Sequence, residues 1–272
     1  MAISDISLTT GMRNNLLALQ KTSTQLTTTQ DRLSTGKKVN SALDNPTNFF
    51  AAQSHMSRAS DLNDRKDGMS EAIQTVKAAD AGISAITSLI NSAKGLASAA
   101  AGTTDTATQL SYYTQYTEIQ GQIDKLALDS GYRGTNLLDS ATLTVQFSEI
   151  TDVAKLDIVG IAGDNASLGL TATSWDTGDA TAASTDLLSM ESALTTLRTT
   201  STTLASNLSV VTARQDFTNN LISTLQTGAD NLTLADMNQE GANMLMLQTR
   251  QSLGTTALSL SSQAAQSVLR LF

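Results

Sequence analysis

From Met12 to Leu33, apolar and small side chains recur in alternating steps of four and three, and Met12, Leu19, Leu26 and Leu33 stand at strict sevens. With Leu16 beside it, that heptad seam predicts a long amphipathic helix. Gly36 offers a left-handed stop and Asn45-Pro46 bars a continuous helix, so a joint falls between Gly36 and Pro46. Pro46 suits the first turn of the next helix, with Asp44 or Asn45 as its cap. A second seam then places Leu62, Met69, Val76, Ile83, Ile90 and Ala97 at sevens, with Arg65 as the one break among their companions. A run of about forty residues on this pattern makes a rod of roughly 60 Å. Gly102 to Asp105 interrupt it, and Tyr112, Tyr116, Ile119, Ile123 and Leu126 outline a shorter helix ending before Gly131.

Beyond Gly131 the period changes to two: Leu143, Val145 and Phe147 alternate with Thr144, Gln146 and Ser148, and Leu156, Asp157 and Ile158 continue the alternation. A β-hairpin near 141–160 is expected. Residues 171–185 are Thr, Ala, Asp and Gly around the lone Trp175, which reads as an exposed loop. The series Leu187, Met190, Leu194, Leu197, Leu204, Val211, Ile222 and Leu225 restores the helical rhythm, so this helix pairs with the rod. Gly228 disturbs the rhythm, and a last helix starts after Asp236. In it, Leu253, Ala257, Leu260, Ala264, Val268 and Leu271 form one seam and Leu258, Ala265, Leu269 and Phe272 an adjoining one. The fold class is mainly α: an elongated antiparallel coiled-coil helix bundle with a small β-hairpin, its N- and C-terminal helices paired.

Charge sharpens the picture. No charged residue lies between Arg250 and Arg270, and Lys21 is alone between Arg13 and Asp31, so both terminal helices are polar but neutral outside their seams. A terminal helix on a small globular domain carries a charged outer face; these two are suited to close, repeated packing. The numerous hydroxyls and amides of the last helix exclude membrane insertion. Residues 1–60 sum to +3 and residues 61–231 to −11, so the middle is the solvated part. An acidic body with no basic run beyond Lys37-Lys38 lacks the footprint of a nucleic-acid binder. The 4% aromatic content leaves few large core side chains, and the absence of cysteine removes disulfides, so helix packing must supply stability. Met-Ala-Ile-Ser-Asp-Ile at the start has no basic and apolar signal character, so no cleavable secretory signal is expected.

Nothing in the chain assembles a catalytic centre. His55 is the only histidine, and a zinc site or a histidine-assisted nucleophile lacks its other members. Asp61, Asp64, Asp67 and Glu71 are interleaved with Arg65 and Lys66 and are followed by no calcium-loop glycine, so they read as a solvated face. Met237, Met244 and Met246 read as fillers of core gaps. No cofactor or metal is expected.

The run Arg32-Leu33-Ser34-Thr35-Gly36-Lys37-Lys38-Val39-Asn40-Ser41-Ala42-Leu43-Asp44-Asn45 resembles the N-terminal signature of bacterial flagellins, with Arg32, Leu33, Ser34, Gly36, Asn40, Ala42 and Asp44 carrying the match. Gly131 to Leu138 is similar to the family's short motif before the hairpin, and Asn231 to Met237, Glu240 to Ala242, Leu247 to Gln251 and Ser267 to Phe272 resemble its C-terminal region. Lys37 and the stretch Pro46 to Phe50 depart from the common pattern in the manner of alphaproteobacterial flagellins. The resemblance implies a filament subunit for swimming motility, exported unfolded through a type III apparatus to the outside of the cell. Its partners would be further copies of itself, alone or mixed with other flagellins, together with the export apparatus, an export chaperone, the filament cap and the hook-junction proteins. Residues 1–43 and 232–272 would form an inner tube, with Met12, Leu16, Leu19, Leu26, Leu33, Leu253, Ala257, Leu260, Ala264, Val268 and Leu271 at its contacts. Residues 44–231 would form the rod with its hairpin, and no large variable outer domain fits. Ser92, Lys94, Gly95 and Leu96 stand where flagellins carry an innate-receptor motif, with Ser92 and Gly95 in place of an arginine and a glutamate. A hook-filament junction protein, or another helical protein secreted by the same kind of apparatus, is the alternative.

Overall fold

A computed structural model describes residues 10–148, 154–171, 173–175 and 180–269, the side chains of 268 and 269 excepted. Among the described residues the chain forms helices α1 (Thr10–Thr35), α2 (Pro46–Ala101), α3 (Thr106–Asp129), α4 (Thr181–Thr233) and α5 (Met237–Leu269), with strands β1 (Thr142–Gln146) and β2 (Lys155–Val159) between α3 and α4. Two compact units result, one from residues 1–57 and 225–272, the other from 58–224. Their borders fall inside α2 and α4.

In the second unit the heptads of α2 and α4 are spent on one core. Met69, Val76, Ile86, Ile90 and Ala97 of α2, Tyr116 and Ile123 of α3, and Met190, Leu197, Leu204 and Val211 of α4 belong to a single buried cluster. Lys94 pairs with Glu191 at 2.7 Å, Ser201 Oγ donates to Asp80 at 2.7 Å and Gln215 Nε2 donates to Ser70 Oγ at 2.7 Å. Rising numbers on α4 meet falling numbers on α2, so the two run antiparallel. α2 runs for 56 residues from Pro46. α4 likewise continues through Gly228, where a side chain would meet only His55 at 3.8 Å, and stops at Thr233.

The hairpin pairs Leu143 with Ile158 and Val145 with Leu156, which sets the apolar alternates of both strands on one face. Val145, Phe147 and Ile158 join the core, while Thr144 Oγ1 donates to Asp157 at 2.7 Å on the outer face.

The stretch before α4 differs from the expected exposed loop. Trp175 is fully buried, stacked on Tyr116 at 4.9 Å and edge-on to Tyr113 at 5.7 Å. Its Nε1 donates to Asp186 Oδ2 at 2.8 Å, and the Thr173 amide donates to the same oxygen at 3.3 Å. Helix α4 begins at Thr181, within the presumed loop, and the indole fills a site that the small residues of the bundle leave open.

Candidate functional site

The first unit holds the terminal helices and the two joints that lead into them. α1 ends at Gly36, whose φ of +71° suits a residue without Cβ, and whose amide donates back to the Arg32 carbonyl at 2.8 Å. The chain then turns around Asp44: its carboxylate accepts from the Asn40 amide at 3.0 Å, the Ser41 amide at 2.9 Å and the Ser41 hydroxyl at 3.2 Å. The amide of Asn40, then that of Ser41, hold this carboxyl below its usual range. Asn45 Oδ1 accepts from the Asn48 amide at 3.1 Å and so caps α2, with Pro46 at the first helical position.

The joint between α4 and α5 lies against the first. Lys37 and Leu234 form an antiparallel bridge in which the Lys38 amide donates to the Thr233 carbonyl at 2.7 Å and the Ala235 amide donates to the Gly36 carbonyl at 2.9 Å. Asp236 Oδ1 accepts from the Asn238 and Gln239 amides and starts α5. Above the bridge, Arg32 Nη1 donates to Glu240 Oε1 at 3.1 Å, while Oε2 of that buried carboxylate has no partner. The clasp thus ties segments some two hundred residues apart in the chain, Arg32 and Glu240 being separated by 208 positions.

From the clasp, α1 and α5 run as a pair. Met12 is buried and Leu19, Leu26 and Leu33 are half-buried, so the strict heptad of α1 is its inward side. On α5 the inward series is Leu247, Gln251, Gly254, Leu258, Ser261 and Ala265, in steps of four and three. Contact is close: a Cβ on Gly254 would lie 2.9 Å from Leu19 Cδ2. The other seam of α5 faces away, with Leu253 65% and Leu260 61% exposed and Ala257 and Ala264 exposed beside them; Leu16 and Leu17 of α1 are exposed too. The expected contact residues therefore divide. Met12, Leu19, Leu26 and Leu33 face the partner helix of the same chain; Leu16, Leu253, Ala257, Leu260 and Ala264 face outward. The side chain of Val268, and Leu271 entirely, lie outside the described residues. Of the methionines expected to fill core gaps, Met237 and Met246 are 47% and 44% exposed and Met244 is half-buried.

Sequence reading missed the Arg32–Glu240 pair, the buried Thr29 and the bridge between the joints. The one available signal was Glu240, the lone acid of α5, in its first turn. No helix among the described residues is long and apolar enough to cross a membrane, and no cluster of metal-ligating side chains occurs among them.

The model of the bacterial flagellin N-terminal helical region matches residues 6–142. Flagellin FljK of Caulobacter vibrioides is 32% identical over the full length of both chains. The chain belongs to the bacterial flagellin family. Flagellin of Brucella melitensis is 28% identical over 94% of this chain and 95% of its own. A crystal structure of Bacillus cereus flagellin is similar over 56% of this chain and 88% of that one, with a TM-score of 0.47 and 21% identity. As a flagellin the chain is a structural subunit of the extracellular flagellar filament and not an enzyme. Among the residues on which the resemblance was read, Arg32 binds Glu240, Gly36 has a positive φ, and Asp44 organises the turn through the amides of Asn40 and Ser41. Ser34 is exposed and Ala42 half-buried. Of the residues expected at receptor-motif positions, Ser92 and Gly95 are exposed, Leu96 packs against the core and Lys94 is taken up by Glu191.

Proposed function

We propose that this flagellin polymerises through the outward faces of α1 and α5, with residues 1–43 and 232–272 as the inner layer of the filament and 44–231 as the outer. The observation that carries the reading is the exposure of Leu253 and Leu260 on a helix face free of charge from Arg250 to Arg270. Burying each such leucine between copies contributes about 1.5–3 kcal/mol, with no charge to desolvate. Leu16 and Leu17 extend the apolar surface onto α1. The same reading takes in handling by an export chaperone, the export apparatus, the filament cap and the hook-junction proteins. Threading as an unfolded chain suits a sequence without cysteine, which no disulfide can lock into a loop.

Leu260→Asp is the test. Its carboxylate stays in water in the monomer but would have to enter the stacked face without a partner, costing several kcal/mol per subunit, roughly 3–5. The monomer should keep its helix content and melting temperature and fail to grow on seeds. Polymerisation at the wild-type critical concentration would mean that this face of α5 remains in water and that the reading is wrong.

A further inference from the structure

All the sulfur in this chain is thioether: there are eight methionines and no cysteine. Among the described residues the thioethers fall into two groups. Met69 and Met190 are fully buried in the second unit and Met12 is 7% exposed, whereas Met56, Met237 and Met246 are 47%, 47% and 44% exposed. All three exposed thioethers belong to the unit of the terminal helices. Met246 has a place that the other two lack. Met246, Leu253 and Leu260 stand at strict sevens, so this sulfur continues the outward apolar stripe of α5. Met237 lies half a turn around the same helix from Met246, and Met56 is on α2.

We propose that Met246 is an oxidation switch of assembly: a peroxide converts its thioether to the sulfoxide, which keeps the outward face of α5 from joining a second copy until a methionine sulfoxide reductase restores it. The switch rests on the polymerisation reading above. In the chemical step a sulfur lone pair attacks one oxygen of hydrogen peroxide and the O–O bond breaks. The proton of the transferred hydroxyl passes to the departing hydroxide, so sulfur gives up two electrons and the products are sulfoxide and water. The step needs access to sulfur, and exposure therefore sorts the sites. Cysteine, which a peroxide would reach first, is absent, and the lone Trp175 is fully buried. In the monomer water solvates the new oxygen, so the fold loses nothing. In a stacked apolar face the same oxygen would be covered beside Leu253 without a donor, and burial of an unpaired polar group opposes the contact. The body is spared, because the sulfurs of Met69 and Met190 are shielded.

Purified monomer is treated with hydrogen peroxide, the sulfoxide at each methionine is read by peptide mass spectrometry, and growth on seeds is measured. Met56, Met237 and Met246 should oxidise at least about tenfold faster than Met69 and Met190. Growth should fall in step with sulfoxide at 246, the critical concentration rising about tenfold or more, while helix content and melting of the monomer stay as before. A sulfoxide reductase should return the lost growth. Met246→Leu should keep the untreated critical concentration and still grow after peroxide, whereas a variant carrying Met56→Leu, Met237→Leu and Met244→Leu should stay sensitive. Normal growth of monomer whose Met246 is fully oxidised overturns the proposal, as does equal inhibition of Met246→Leu. Should Met246→Leu fail to grow even untreated, the wild-type protein decides alone, through the match between sulfoxide at 246 and growth and its reversal by the reductase. Normal growth of Leu260→Asp would sink the reading of α5 and this switch with it; an inert Leu260→Asp beside oxidised wild type that grows would sink the switch alone.

Discussion

The α1–α5 pair and the body at 58–224 are written in the same heptad rhythm and end in opposite situations. In the body, three helices and a hairpin converge, so Met69, Ile86, Ile90, Met190 and Leu197 are fully buried. Among the described residues of α1 and α5, only Met12, Thr29, Glu240 and Leu247 are classed as buried, and two of those are polar. The difference is one of helix number. Two helices can cover one seam each, and α5 has two seams; three helices with a hairpin can cover everything. A coiled-coil pattern therefore predicts helix and seam, while the count of neighbours decides whether a leucine ends in core or at a contact surface.

The sharpest way to break this comparison is to hollow out the body. Trp175→Ala removes the indole stacked on Tyr116 and strips Asp186 of its indole donor. A loss of about 3–5 kcal/mol is expected, read as a fall of roughly 10 °C in the melting temperature followed by circular dichroism. A change of less than about 2 °C would mean that residues 173–175 are not part of the cooperative body.

A smaller effect, confined to the other region, should follow Arg32→Ala. Arg32 is 40% exposed at its side chain and Glu240 only 10%, so the loss is chiefly that of a buried carboxylate left without its cation. About 1–2 kcal/mol is expected, below the range for fully buried pairs because water reaches the arginine. Hydrogen exchange should quicken in the last turns of α1 and the first of α5 and stay unchanged from 58 to 224. Adding Glu240→Gln, which removes the stranded charge, should restore most of the protection. Uniform acceleration across the chain would show that the clasp and the body unfold as one.

What could be read beforehand follows from the range of the interactions. Helices, the hairpin and the cap at Asn45 rest on neighbours within a few residues, and their rhythm and turn residues stand in the sequence. The neutral face of α5 was equally plain, since it needs only a count of charges. The bridge between Lys37 and Leu234 uses backbone groups of two distant joints and leaves no periodic trace. Trp175 misled for a related reason: its flanks have loop composition, and its partners Tyr116 and Asp186 are known only from the fold. Which seam of α5 turned inward was decided by Gly254, whose missing side chain admits Leu19.

The smallest expected effect separates the two regions by acid. Burial raises the Asp186 carboxyl above its ordinary 3.8, although Trp175 and Thr173 donate to it. The folded body thus binds this proton more tightly than the unfolded chain does, and the favourable contribution, complete below pH 3.8, fades as pH rises through the raised value. Asp44 at the joint behaves in the opposite sense: donation by the Asn40 and Ser41 amides lowers it, so its contribution is present above 3.8 and is lost as pH falls through the lowered value. Asp186→Asn keeps an oxygen for the indole and abolishes the titration. Near pH 3.8 it should be close to neutral, and toward pH 7 it should gain on the wild-type body by about 1 kcal/mol or less, the scale of one altered hydrogen bond. Urea unfolding of both proteins across that range gives the difference directly. If the variant instead loses ground to the wild type as pH rises, the buried carboxyl favours its charged form, and the donors Trp175 and Thr173 outweigh the burial that surrounds it.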